Sequence, residues 1–76
     1  HFEEGRWREA LICWEQAAAE GDSLSAYNCG LLLTVAPPGI VRDLKRSRWH
    51  LSRAASLGID GAREVLAAVE ATLRRA

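Results

Sequence analysis

The sequence has no methionine, only two cysteines, no surplus of either charge and no long apolar run. The missing methionine predicts a piece cut from a longer chain, so missing targeting signals carry no information on compartment. Two cysteines are too few for a multiply bridged scaffold. No apolar stretch has spanning length, which excludes a transmembrane helix. The 10 Lys and Arg balance the 10 Asp and Glu, and a pI near 6.9 removes the global field that draws proteins onto nucleic acid or anionic lipid. Also missing are Gly-x-Gly-x-x-Gly, a phosphate loop and His-Glu-x-x-His. No nucleophile, base and orienter present themselves; Glu3, Glu4 and the serines read as solvated faces and helix caps, and no catalysis is expected. At 76 residues the chain holds one small domain. Such a chain buries only about 60% of its unfolded surface, so its core must be economical or borrowed from a neighbour.

What is present is a hidden charge division. Residues 1–38 sum to −4 and residues 39–76 to +4, so the neutral total is a dipole. Nine of the ten basic residues are Arg, which suits planar, bidentate recognition of a partner.

The strongest pattern is helical. Trp7, Ala10, Leu11, Trp14, Ala17 and Ala18 fall at the spacing of one stripe on a helix, and Gly21 stops it. Asp22 or Ser23 supplies the next N-cap, and Pro37 with Pro38 cannot continue the segment that follows. The pattern restarts at Asp43, stops at Gly58 and resumes with Asp60 as a cap, carrying Ala62, Val65, Leu66, Val69 and Leu73. Helices are therefore predicted near 6–20, 23–35, 43–57 and 60–75. Adding 37 to the first stripe gives Leu44, Ser47, Arg48, Leu51, Ala54 and Ala55, and the same offset relates Gly21 to Gly58. A fixed spacing in the thirties between helix pairs marks an α-solenoid, predicting an all-α fold of two antiparallel helix pairs.

Ala10, Trp14, Ala17, Ala18, Gly21, Tyr27 and Gly30 in one copy, and Gly39, Asp43, Ala54, Ala55, Gly58, Ala62, Leu66 and Ala67 in the next, resemble the pattern of Sel1-like repeats, relatives of the tetratricopeptide repeats. The resemblance covers nearly the whole chain. It implies a partial repeat at 1–21, a repeat at 22–58 and a terminal helix at 59–76, the C-terminal piece of a longer array. It further implies an adaptor or scaffold that works through protein–protein interaction. The second copy departs from the pattern at Ser47, Arg48, His50 and Leu51, and "TVAPPG" replaces the usual Gly-rich turn.

Small residues let antiparallel helices approach closely, the role expected of the alanine pairs and of Gly30 in the facing helix. Trp7, Trp14, Tyr27 and Leu51 read as core or inter-repeat filling. Projection of the third helix places Leu44, Arg48, Leu51 and Ala55 on one side, and Arg42, Lys45, Arg46, Trp49 and Arg53 on the other. Trp49 then either covers its own helix by stacking on Arg46 and Arg53, or forms a contact hot spot for a protein or peptide partner. Its counterpart at minus 37, Ile12, also projects outward, which suggests a continuous binding strip. Stacking of Trp49 on a base, with arginines on phosphate, is the weakest reading for a chain of zero net charge. The acidic leading and basic trailing ends would also suit head-to-tail homo-oligomers.

Cys13 and Cys29 flank the Gly21 turn at similar distances, so a disulfide is geometrically conceivable. In some secreted Sel1-like proteins the disulfide recurs with each repeat, whereas 37 residues on from these positions stand His50 and Leu66. Two reduced, buried thiols are the reading preferred, which favours a reducing intracellular compartment. Cys13, Cys29, His1 and His50 lack the short spacings of a structural zinc site, so neither metal nor cofactor is expected.

Overall fold

The computed structural model describes residues 4–75. Among these the chain is all-helical, with α1 at Glu4–Ala19, α2 at Ser23–Val35, α3 at Leu44–Ser56 and α4 at Ala62–Arg75. Two short turns make the helices two antiparallel pairs. They pack serially, α1 on α2, α2 on α3 and α3 on α4, with a smaller contact between α2 and α4. The result is a slab of 30 × 30 × 18 Å.

The turns follow from local chemistry. Gly21 and Gly58 have φ of +102° and +87°, a region that costs side chains with a Cβ. In each case the following N–H reaches back to the carbonyl five residues before it, Asp22 to Ala17 at 3.1 Å and Ile59 to Ala54 at 3.1 Å, which satisfies a carbonyl left over at the helix end. The Asp22 carboxylate accepts from the Leu24 N–H and the Ser25 hydroxyl. The Asp43 carboxylate accepts from the Arg46 N–H at 3.1 Å. Between α2 and α3 the Ile40 N–H donates to the Pro37 carbonyl around Pro38-Gly39, with Gly39 at φ +93°, as a proline-glycine turn requires. Asp60 does not cap α4. The chain makes an additional turn in which Ala62 N–H donates to Ile59, and α4 starts after Gly61, whose carbonyl accepts from Val65.

The turn end of the slab is knotted by one alanine from each helix: Ala18, Ala26, Ala54 and Ala62, all buried, with Tyr27, Ala55 and Ile59 packed against them. The backbone repeats at the 37-residue offset through both glycine turns, yet the buried Ala18 and Ala54 stand one residue short of it. α3 packs on two neighbouring helices and α1 on one, so a different alanine of each pair is covered.

Farther along the helices, α2 and α3 touch most closely at Gly30. A Cβ there would lie 2.4 Å from Leu51 Cγ, and Leu51 is wholly buried. Gly30 is thus a contact glycine, as expected, but its partner is α3 and not α1. Its carbonyl also accepts from the Ser47 hydroxyl at 2.8 Å, and Thr34 Oγ1 lies 2.6 Å from Ser47 Oγ. The buried Ser47 is satisfied in this way, so its polarity costs little. Arg48, placed by projection beside Leu44 and Leu51, is instead exposed, and the side it was assigned is completed by Ser47 and His50.

Candidate interaction surface

α3 carries Lys45, Arg46, Arg48 and Arg53 and no acidic residue. Arg42 stands on the exposed approach to the helix and not on it. Trp49 is 56% exposed although it sits in the middle of α3. Two contacts fix it. The Arg53 guanidinium lies over the indole, 4.9 Å from its centroid. The His50 ring meets it edge-on, with centroids 5.0 Å apart and planes at 77°. The stacking expected of Arg53 is therefore present.

Arg46 does something else. Its guanidinium is ion-paired with the Glu15 carboxylate of α1, so it leaves the Trp49 cluster for the α1 side. His50 Nε2 lies 3.3 Å from the same carboxylate oxygen. Among the described residues α1 and α3 have no close backbone approach, and this carboxylate bridges them through side chains. His50 was legible in the sequence only as a departure from the repeat pattern and a remote zinc candidate. In the fold it is 5% exposed, with Nδ1 buried and unpartnered. A neutral ring protonated on Nε2 donates to Glu15 and leaves Nδ1 a bare acceptor. Burial holds this imidazole below its ordinary range, helped by Arg46 and Arg53, while Glu15 pulls the other way.

Ile12 is also 56% exposed, but it and Trp49 line different clefts. Ile12 borders one between α1 and α3, with Leu11, Ile40, Val41, Arg8 and Arg46 around it. Trp49 borders another, of about 420 Å³, with Lys45, Arg48 and Ser52 of α3 and Glu70 of α4. The ion-paired Glu15 and Arg46 line the Ile12 cleft, and neither lines the Trp49 cleft.

Trp7 and Trp14 are half-buried and not sealed in the core. With Leu31, Leu32, Val35 and Pro37 they line an open, almost wholly apolar groove of about 310 Å³ between α1 and α2. The packing residues divide similarly: Ala18, Leu51, Ala54 and Ala62 are buried, whereas Ala10, Leu11, Ala17, Tyr27, Leu44, Ala55 and Leu66 are half-buried. Cys13 corrects the expectation of two buried thiols, since it is exposed while Cys29 is buried and both are free. Burial and the Glu15 carboxylate push the Cys29 thiol up to about 11. Among the described residues no group of three His, Cys, Asp or Glu is placed to hold a metal ion, and no helix is long and apolar enough to cross a membrane.

These features describe a surface for contact: an anchored, exposed indole among cations, with an apolar groove elsewhere on the slab. Comparison with known proteins adds no relative, because no family model, no curated protein and no solved structure matches the chain.

Proposed function

We propose that the chain is a protein–protein interaction module of the Sel1-like, tetratricopeptide-related kind, an adaptor or scaffold whose contact surface is centred on Trp49. The observation that carries this reading is the exposure of Trp49. A small domain short of core leaves its large indole 56% accessible and spends Arg53 and His50 on holding it in place. Trp and Arg are the residues most enriched at binding hot spots, and a side chain already fixed loses less freedom on binding. No catalytic role is assigned to it. The test is proximity capture with the wild type and Trp49→Ala in parallel: an altered partner set supports the surface, and an identical one removes it.

A second reading, self-association, is favoured by the opposed charges of the two halves and by the open Trp7/Trp14 groove. An apolar surface of that kind is often covered by another protein surface. Light scattering decides it, since a monomer at both low and high salt ends this reading.

A further inference from the structure

We propose that the α3–α4 cleft takes an acidic peptide segment, its carboxylates on Lys45 and Arg48 of the cleft wall and on Arg53 beside the Trp49 ring, and a flat side chain on the exposed indole of Trp49. The inference rests on Trp49 as the centre of a contact surface and names the partner chemistry of that same site.

Charge carries the argument. Of the four cations on α3, Arg46 is neutralised by an ion pair with Glu15. Among the described residues Lys45, Arg48 and Arg53 form none, and the helix has no acid of its own to answer them. Three cations around one aromatic ring, faced across the cleft by the single carboxylate of Glu70, form a surface complementary to anionic groups. Arg53 has the geometry for this. Its guanidinium carbon lies over the indole, 4.9 Å from the centroid. The planar group carries N–H donors in a fixed fork that matches a carboxylate with two parallel hydrogen bonds. The Ser52 hydroxyl, also on the cleft wall, adds a donor for a peptide carbonyl or carboxylate.

The opposite wall selects among anions. Glu70 of α4 lines the cleft. A strand with a charge on every nucleotide would be repelled where it passes Glu70, whereas a peptide can place carboxylates toward α3 and a neutral residue toward Glu70. A neutral protein with three available cations also lacks the counterion-release gain on which phosphate-tracking proteins depend. The residues around the cleft mouth, Lys45, Arg48, Trp49 and Ser52, are all exposed, so the site is open in the described fold.

The experiment is fluorescence anisotropy on the whole chain with three labelled probes: a short Glu-rich peptide containing one Tyr, the same peptide with every Glu replaced by Gln, and an oligothymidylate of equal length. Expected is saturable binding of the Glu peptide, loss of about tenfold or more in affinity for K45E/R48E, and a loss of similar size for Trp49→Ala. Glu70→Gln should tighten binding about two- to threefold by removing a repulsive charge. Circular dichroism confirms that these surface variants fold. Equal binding of the Glu and Gln peptides, indifference to K45E/R48E, or tighter binding of the oligonucleotide than of the Glu peptide would each overturn the inference. The two proposals fail separately: if Trp49→Ala changes the captured partners while the Glu peptide does not bind, the acidic partner is wrong and the contact surface stands. If neither responds, both fall.

Discussion

The two thiols show how far a single residue's environment departs from its type. Cys13 is exposed on α1, whereas Cys29 is buried in α2 with its thiol pushed up to about 11 by burial and the Glu15 carboxylate. Only thiolate reacts readily, so a maleimide at neutral pH should label the folded chain once, at Cys13, and twice after denaturation. Mass spectrometry of the labelled peptides checks this. His50 gives the second prediction. Its folded pKa lies below the ordinary value of 6.5, so between the two values the unfolded chain binds more protons than the folded one. Stability is then complete above 6.5 and falls as pH drops toward the folded pKa. Urea midpoints from about pH 8 to about pH 5 should decline, and His50→Phe, which keeps a ring beside Trp49, should flatten that decline. The sequence could not reveal this, because the burial of His50 and its bond to Glu15 join residues 35 apart on different helices. Cys13 was misread for a related reason: a helical projection orders residues around an axis but does not say which sides acquire a neighbour.

At the scale of elements, legibility follows the range of the cause. Asp22, Asp43, Gly21 and Gly58 act within a few residues, and each occupies the cap or turn read from the sequence. Asp60 failed because Gly61 adopts a positive φ and the helix starts beyond it. The small-residue contacts were legible in kind, but their partners were not. Gly30 meets Leu51 of α3, and Leu51 has no room to withdraw. Gly30→Ala should therefore lose stability, its gain of about 1 kcal/mol in helix propensity outweighed by overpacking of about 1 to 3 kcal/mol. A melting temperature equal to or above wild type would show that α2 and α3 can part without cost. The alanine knot supplies a sharper contrast. Ala18→Leu and Ala54→Leu enter a filled contact and should each cost about 1 to 3 kcal/mol. Ala55→Leu points toward an open cleft and should cost well under either. Equal losses at Ala54 and Ala55 would mean that the buried register repeats with the backbone after all.

The whole molecule was legible as an all-α chain of two hairpins, because hydrophobic period, caps and stop glycines all gave one answer. Its stacking gave more than the pattern held. Glu15 on the first helix neutralises Arg46 of the third, so of the cations expected beside Trp49 one is engaged, while Lys45 and Arg53 form no ion pair among the described residues and are joined on the exposed side by Arg48. That pairing depends on the slab as a unit, since among the described residues the two helices have no close backbone approach. The −4 and +4 halves are likewise not simply the two ends of a rod. One cation of the positive half is bound to a carboxylate of the negative half, so part of the dipole is cancelled within the fold.

The serial packing also orders how the chain comes apart. α2 touches every other helix, while α1 rests on α2 and reaches α3 through the Glu15 side chain. Ala18 is the one fully buried residue among the described side chains of α1, whereas α2 and α3 each bury several, so the α1 amides belong to a unit that exchanges with solvent before those of α2 and α3. Hydrogen-exchange mass spectrometry should find protection lowest in α1 and highest across α2 and α3, with Glu15→Gln lowering α1 further while α4 is unchanged. Uniform protection in all four helices would show a single cooperative block. With the graded order, α1 is a detachable leaf, and the free energy of its detachment sets how often the inner faces of α2 and α3 meet water.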